Sequence, residues 1–367
     1  MNRPRPATGI KARAAAFRSF VAMILLRSLA LALALALDVG ATRPVVDVVR
    51  RSLIVNGLPA SSAAAASSSA ASAATADQGL AASVVRVRGY ATQWFLIFQT
   101  GRTLSWTCSG VLVGAQVVAT AAHCLSGDPS LPAYDTVEVD LVTPDGSETI
   151  GVAHWTTSPS WDPSSPVLVE HDVAALLLQS TSKYGAVWPL NATASSALPA
   201  STLGSVPTAD VAQFAVSACA APVSAAGNGI VYTPACVVAV ALGYGSEQQT
   251  TIGGGAAPVY PSAPQFANLA AFRDVGGFFA PAGTLVTAPY DSSGGGYPCF
   301  GDSGGPLIAP VDASGAAFAL VGLLSSVDGP AVQCQGVNAY VDVGEHVDFF
   351  AGLAGPWGSA GAVQLAS

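Results

Sequence analysis

Positive charge is scarce in most of this chain. Of the 14 Lys and Arg residues in 367 positions, nine fall in the first 53: Arg3, Arg5, Lys11, Arg13, Arg18, Arg27, Arg43, Arg50 and Arg51. Nine bases less the two acids there, Asp38 and Asp47, leave +7. Residues 54–367 hold 5 bases and 20 acids, a net of −15. A body so poor in cations argues against binding a nucleic-acid backbone, which needs clustered Lys and Arg. Charged residues of both signs make up only 10% of the chain, against 51% apolar, which rules out disorder of the whole chain. Ala and Gly inflate that apolar count. Cys-x-x-Cys and closely spaced Cys/His pairs are missing, so neither a structural zinc nor any other cofactor is expected. Long stretches with a 3.6-residue period and repeats of 20–50 residues are also missing, which removes helical bundles and solenoids. The apolar run after Arg27 is nine residues, short of the ~20 needed to span a bilayer.

What is present begins with a leader. Residues 1–19 are basic and free of acids, Phe20–Leu37 is apolar apart from Arg27 and Ser28, and Gly40-Ala41 follows. A secretory signal peptide over 1–41 has this layout, with secretion as the expected destination. Counted from Phe20, the same segment is a candidate signal anchor that would hold the protein to a membrane through residues 20–37. Its Arg content also fits an organelle transit peptide. The six cysteines, Cys108, Cys124, Cys219, Cys236, Cys299 and Cys334, suit three disulfides in an oxidising compartment. Asn191-Ala-Thr193 is a glycosylation sequon.

Residues 58–83 are almost wholly Ala and Ser, with no large side chain to pack. From Val84 the texture changes. Short apolar runs bounded by Gly, Pro, Ser and Asp read as strands: Trp94–Phe98, Val111–Val113, Val117–Ala119, Val137–Val142, Val173–Leu178, Val237–Leu242, Ala317–Leu324 and Val337–Val343. The expected class is all-β, a sandwich or barrel. One late helix is expected near Glu345–Leu353, ended by Gly355-Pro356.

Three clusters carry chemistry. They are Thr120-Ala121-Ala122-His123-Cys124, then His171-Asp172 followed by Val-Ala-Ala-Leu-Leu, then Cys299-Phe300-Gly301-Asp302-Ser303-Gly304-Gly305-Pro306. Singly, each has a bland reading: a structural His, a turn Asp, a tight Gly turn. Together, in the order His, Asp, Ser within a cysteine-bearing β chain, they describe nucleophilic catalysis. A serine hydroxyl is a poor nucleophile until a base takes its proton. His123 can do so near neutral pH, and a carboxylate on its other nitrogen would fix the tautomer. Asp172 is the choice for that carboxylate, with Asp162 and Asp140 as rivals.

The first and third clusters match, residue for residue, the two signatures of the chymotrypsin/trypsin-like family of serine proteases, which this sequence resembles from about Ile54 to Phe350. The resemblance implies two antiparallel six-stranded β-barrels and a short C-terminal helix. It divides the chain into a propeptide over 42–53, a mature N-terminus with the Ala/Ser insert over 54–83, one barrel over 84–205, a second barrel with the terminal helix over 206–354, and a tail over 355–367. It implies a peptide-bond hydrolase with His123, Asp172 and Ser303 as triad and the N–H groups of Gly301 and Ser303 as oxyanion hole, and no metal or cofactor. Ile54-Val55-Asn56-Gly57 resembles the family's mature N-terminus, whose new ammonium pairs with the Asp before the catalytic Ser, here Asp302. Leu53 precedes Ile54 where the family usually has a base, and Arg50-Arg51 lies just upstream. The resemblance pairs Cys108 with Cys124 and Cys299 with Cys334, leaving Cys219 and Cys236 to each other. It places the specificity pocket at Tyr297, Ser325 and Val327. Tyr297 is not the Asp of trypsin-like pockets, Ser326 stands for the usual Trp and Val327 for a Gly, so small or apolar residues are expected rather than Arg or Lys. Expected partners are a protein or peptide substrate, an activating protease and protein inhibitors, with the enzyme monomeric. The alternatives are a catalytically silent homologue that binds a partner, and a membrane-anchored protease.

Overall fold

The computed structural model describes residues 58–59, 81–95, 98–125, 134–143, 145–165, 169–201, 225–226, 229–230, 237–246, 259–274, 284–289, 297–310, 318–327 and 337–366. The leader, Ile54, the insert at 60–80, Cys219, Cys236 and Cys334 lie outside them. Strands dominate. In chain order they are β1 (Leu58–Pro59), β2 (Val84–Phe95), β3 (Phe98–Leu112), β4 (Val117–Thr120), β5 (Thr136–Thr143), β6 (Gly146–Thr157), β7 (Ala174–Leu178) and β8 (Ala200–Ser201). There follow β9 (Ala225–Ala226), β10 (Gly229–Ile230), β11 (Val237–Gly243), β12 (Gln265–Asp274), β13 (Leu285–Pro289), β14 (Pro306–Pro310), β15 (Phe318–Val327) and β16 (Asn338–Asp342).

Strands β2-β3-β4-β7-β6-β5 close into one antiparallel six-stranded barrel. Strands β11-β14-β15-β16-β13-β12 form a second, closed by the β12–β13 pairing, while β1 and β8 add to β12. Closure leaves no open sheet edge in either ring. The short β9–β10 hairpin stands apart as a two-stranded sheet.

Period-2 alternation sends each strand's side chains to two cores. Val118, Leu141, Leu176 and Leu178 fill the first barrel, and Ala239, Leu269, Leu307 and Val321 the second. A third cluster joins the barrels: Val113, Val117 and Ala175 of the first meet Leu242, Tyr244, Leu323 and Phe350 of the second. Strand β7 is buried on both faces, which is why its sequence is an unbroken Ala-Ala-Leu-Leu-Leu.

Two local expectations change. Trp94–Phe98 is not one strand: β2 ends at Phe95, β3 starts at Phe98, and the two pair antiparallel with Phe95 opposite Phe98. An apolar run carries no turn chemistry, so the hairpin was not visible in it. The late helix expected near Glu345–Leu353 is present as α1 (Val347–Gly352), but a second short helix, α2 (Ala354–Trp357), runs through Gly355-Pro356, where helical structure was expected to end. Pro356 sits in the first turn of α2, where its missing N–H is no loss. The tail then docks: Gln364 N donates to Val113 O at 2.8 Å, and Leu190 N donates to Gln364 O at 2.8 Å.

Candidate active site

His123 lies in the short 3₁₀ turn Ala122–Cys124 that follows β4. The Cys108–Cys124 disulfide ties that turn to β3. The neighbours Ala121 and Ala122 are fully buried, so the turn is anchored by its small residues while the imidazole keeps 30% exposure. Asp172 precedes β7 and is fully buried. Its two oxygens do different work. Oδ1 accepts from the His123 backbone N–H at 2.7 Å, and Oδ2 lies 2.7 Å from His123 Nδ1. A carboxylate on Nδ1 keeps the proton there and leaves Nε2 as the basic nitrogen.

Ser325 supplies the third donor: its Oγ donates to Asp172 Oδ2 at 2.6 Å. The resemblance placed Ser325 in the pocket, and its hydroxyl is turned toward the His–Asp pair. The rival carboxylates are engaged elsewhere. Asp140 is bonded by Arg86, Arg88 and Thr149, and exposed Asp162 by the backbone and hydroxyl of Ser164.

Ser303 follows a turn that needs glycine. Gly301 has φ 97° and Gly304 φ 78°, both in the left-handed region. A Cβ on Gly304 would come within 2.2 Å of Thr120 Oγ1 and 2.5 Å of Ser109 O. The segment is clamped between barrels: Ser109 N donates to Ser303 O at 2.8 Å, and Gly304 N donates to Leu324 O at 2.7 Å. Cys124 Sγ lies 3.8 Å from both Ser303 O and His123 Nε2, so the Ser303 segment and the imidazole share one wall. Among the described residues, neither Gly301 N nor Ser303 N donates to a backbone carbonyl. Ser109, which no sequence pattern marked, orients this loop: its Oγ donates to Gly301 O at 2.8 Å and accepts from Tyr244 N at 2.9 Å.

Asp302 is buried beneath the turn. Its oxygens accept from Gly245 N at 2.7 Å and Cys299 N at 2.8 Å. Burial pushes its carboxyl up to about 7, and those two bonds only partly offset it. Gly243 and Gly245 make the room, since a Cβ on either would come within 2.1 Å of the carboxylate.

This pairing of a clamped imidazole with a glycine-turned serine is matched at family level: the sequence profile of the family described as Trypsin covers residues 84–347. The chain belongs to the trypsin family. In structure it is similar to human heparin binding protein at 17% identity, with 76% of this chain and 93% of that one covered and a TM-score of 0.45. It is also similar to neuropsin, a serine protease expressed in the limbic system of mouse brain, at 19% identity, 73% and 92% coverage and a TM-score of 0.44. No curated protein matches the sequence.

The remaining sequence-marked residues fall as follows in this trypsin-family chain. Cys299 is disulfide-bonded. Tyr297 is partly buried, and Val327 ends β15 opposite Asn338. Asn191 Oδ1 accepts from Thr193 N and Oγ1, an Asx turn within the sequon. Cys108, His123 and Cys124 converge as metal ligands would, but the two sulfurs are bonded to each other, and thiolate is what a metal needs.

Proposed function

We propose that this chain is a secreted serine endopeptidase that cleaves peptide bonds through an acyl-enzyme. The observation that carries the reading is the clamp on His123, held by both Asp172 oxygens at 2.7 Å. With Nδ1 so engaged, Nε2 takes the proton of Ser303 Oγ as that oxygen attacks the scissile carbonyl. The negative charge that develops on the carbonyl oxygen is met by the N–H groups of Gly301 and Ser303. His123 then gives its proton to the leaving amine, and water repeats the sequence on the acyl-enzyme. Buried Asp172, bonded to His123 through both oxygens, faces the imidazolium and offsets its charge.

Activation follows from Asp302. Leu58 pairs with Phe266, and Phe266 with Leu242, next to the Gly243 that packs on Asp302. Two strand spacings separate Leu58 from Leu242, about 10 Å, and the four residues from Ile54 reach at most about 14 Å. This supports a cut before Ile54 whose new ammonium meets the Asp302 carboxylate. Tyr297 and Val327 favour small or apolar residues at the cleaved bond.

The deciding test is labelling with a fluorophosphonate. The processed protein should label and its Ser303→Ala variant should not. A processed, folded protein that takes no label is a silent homologue, and label persisting in Ser303→Ala removes Ser303 as nucleophile. A peptide library on the same protein checks the pocket, where dominant cleavage after Arg would refute the reading of Tyr297.

A further inference from the structure

Ser109 of β3 is wholly buried where the two barrels meet, and hydrogen bonds leave it in several directions. Its Oγ donates to Gly301 O at 2.8 Å and accepts from Tyr244 N at 2.9 Å. Its N donates to Ser303 O at 2.8 Å, and its O accepts from Thr120 Oγ1 at 2.7 Å. The Tyr244 N–H can only donate, so the Ser109 O–H is left to point at Gly301 O. Thr120 is the last residue of β4, which leads into the His123 turn. One residue of the first barrel thus ties the His123 turn to both Gly301 and Ser303.

The carbonyls of the Ser303 turn are held one after another. In a trans peptide the C=O and N–H point in opposite directions, so a carbonyl held from behind turns its N–H forward. Phe300 O accepts from Ser246 N at 2.8 Å, which directs Gly301 N–H. Asp302 O accepts from Gly305 N at 2.7 Å, which directs Ser303 N–H. Between them, the Gly301–Asp302 unit is held at its oxygen by Ser109 Oγ and at its nitrogen by Cys299 O, at 3.0 Å. Of these four holders, Ser109 alone comes from the first barrel, which also carries His123. Gly301, at φ 97°, has the rotational freedom of a glycine and needs such a hold. Losing the Ser109 hydroxyl takes this bond from Gly301 O and lets the unit turn.

We propose that Ser109 is a positioning residue for the oxyanion hole, whose hydroxyl keeps the Gly301 and Ser303 N–H groups aligned with His123. It touches no reacting atom and acts through the turn. The role rests on the peptidase reading above. Preorganised donors stabilise the developing charge only where they already face it, and a misplacement of ~1 Å can cost ~10² in rate. The charge exists only as the reaction proceeds, so the loss falls on kcat and not on KM.

The test compares the processed protein with its Ser109→Ala variant on a peptide substrate. kcat should fall about 10- to 100-fold with KM within about twofold, short of the ~10²–10³ typical when an oxyanion donor is removed outright. A trifluoromethyl ketone of the same peptide supplies the second readout. Ser303 Oγ adds to its carbonyl carbon, the hydroxyl proton passes to His123, and the carbonyl oxygen becomes the anion in the hole. The matching secondary alcohol cannot form this adduct. Affinity for the ketone should weaken in step with kcat, and affinity for the alcohol should hold. A residue that only stabilises the fold would lower the urea midpoint and leave kcat and the ketone unaffected. That result, or equal weakening of ketone and alcohol, overturns the role. Ser109→Gly removes the same hydroxyl and is read in the same way if Ser109→Ala does not fold. If neither folds, Ser109 is a folding residue and the proposal fails. An active parent whose variants keep its kcat sinks the role of Ser109 alone. A parent that hydrolyses no peptide and takes no fluorophosphonate sinks the peptidase reading and this role with it.

Discussion

Asp302 should make the uncut chain less stable as pH rises, and the size of the effect follows from its burial. The carboxyl is pushed up from 3.8 to about 7. Among the described residues, no cation pairs with it. Below pH 3.8 it is neutral whether the chain is folded or unfolded. Between 3.8 and about 7 the unfolded chain releases this proton and the folded chain keeps it, so stability falls as pH rises, then levels off above about 7. Some three pH decades at about 1.4 kcal/mol each amount to about 4 kcal/mol. His346 works in the opposite sense over part of this range, because burial lowers its pKa to about 4. The measurement is therefore a difference. Asp302→Asn does not titrate, and its amide leaves one of the two N–H donors unsatisfied at a pH-independent cost of about 1–3 kcal/mol. Urea unfolding of both uncut chains in a Ser303→Ala background, at pH 4 and pH 8.5, should show the Asn variant gaining about 4 kcal/mol on its parent between the two. After cleavage before Ile54 the gain should shrink, because the new ammonium stabilises the ionised carboxylate. A gap between variant and parent that is the same at both pH values would refute the buried, unpaired carboxyl.

The other predictions concern the triad and its turn. Asp172→Asn leaves the His123 clamp with one carbonyl oxygen and lets the proton move to Nε2; turnover should fall ~10⁴-fold, the typical cost in such a triad, measured as kcat on a peptide substrate. Ser325→Ala removes one of three donors to a fully buried carboxylate, so urea unfolding should show a loss of about 1.5–3 kcal/mol, with a smaller drop in kcat than Asp172→Asn. Unchanged stability would remove Ser325 from the network. Gly304→Ala forces a Cβ into Thr120 and the β3 backbone at φ 78°, and should cost about 2–5 kcal/mol and abolish fluorophosphonate labelling. Full labelling in that variant would show that the turn adapts.

The family and the candidate site residues were legible in the sequence because they are carried by short contiguous blocks. Thr120–Cys124 and Cys299–Pro306 hold their residues in a row, and the strands announce themselves as runs of four to eight apolar residues between breakers. Composition excluded disorder of the whole chain, and the short apolar runs set the class. Contacts between distant residues were not legible. Ser325 lies 153 positions from the Asp172 it donates to, and Ser109 lies 192 from the Gly301 carbonyl it holds. His171 and His346 come together only because the C-terminal turn packs beside the loop before β7. The hairpin inside Trp94–Phe98 was hidden because apolar residues record burial and not direction. Sequence alone determined which groups could act and that β-strands would carry them. The tertiary structure decided which carboxylate meets His123, and that Asp302 is sealed under two glycines. The physical reason is that burial and hydrogen-bond partners set what a charge does, and both are properties of the packed barrels.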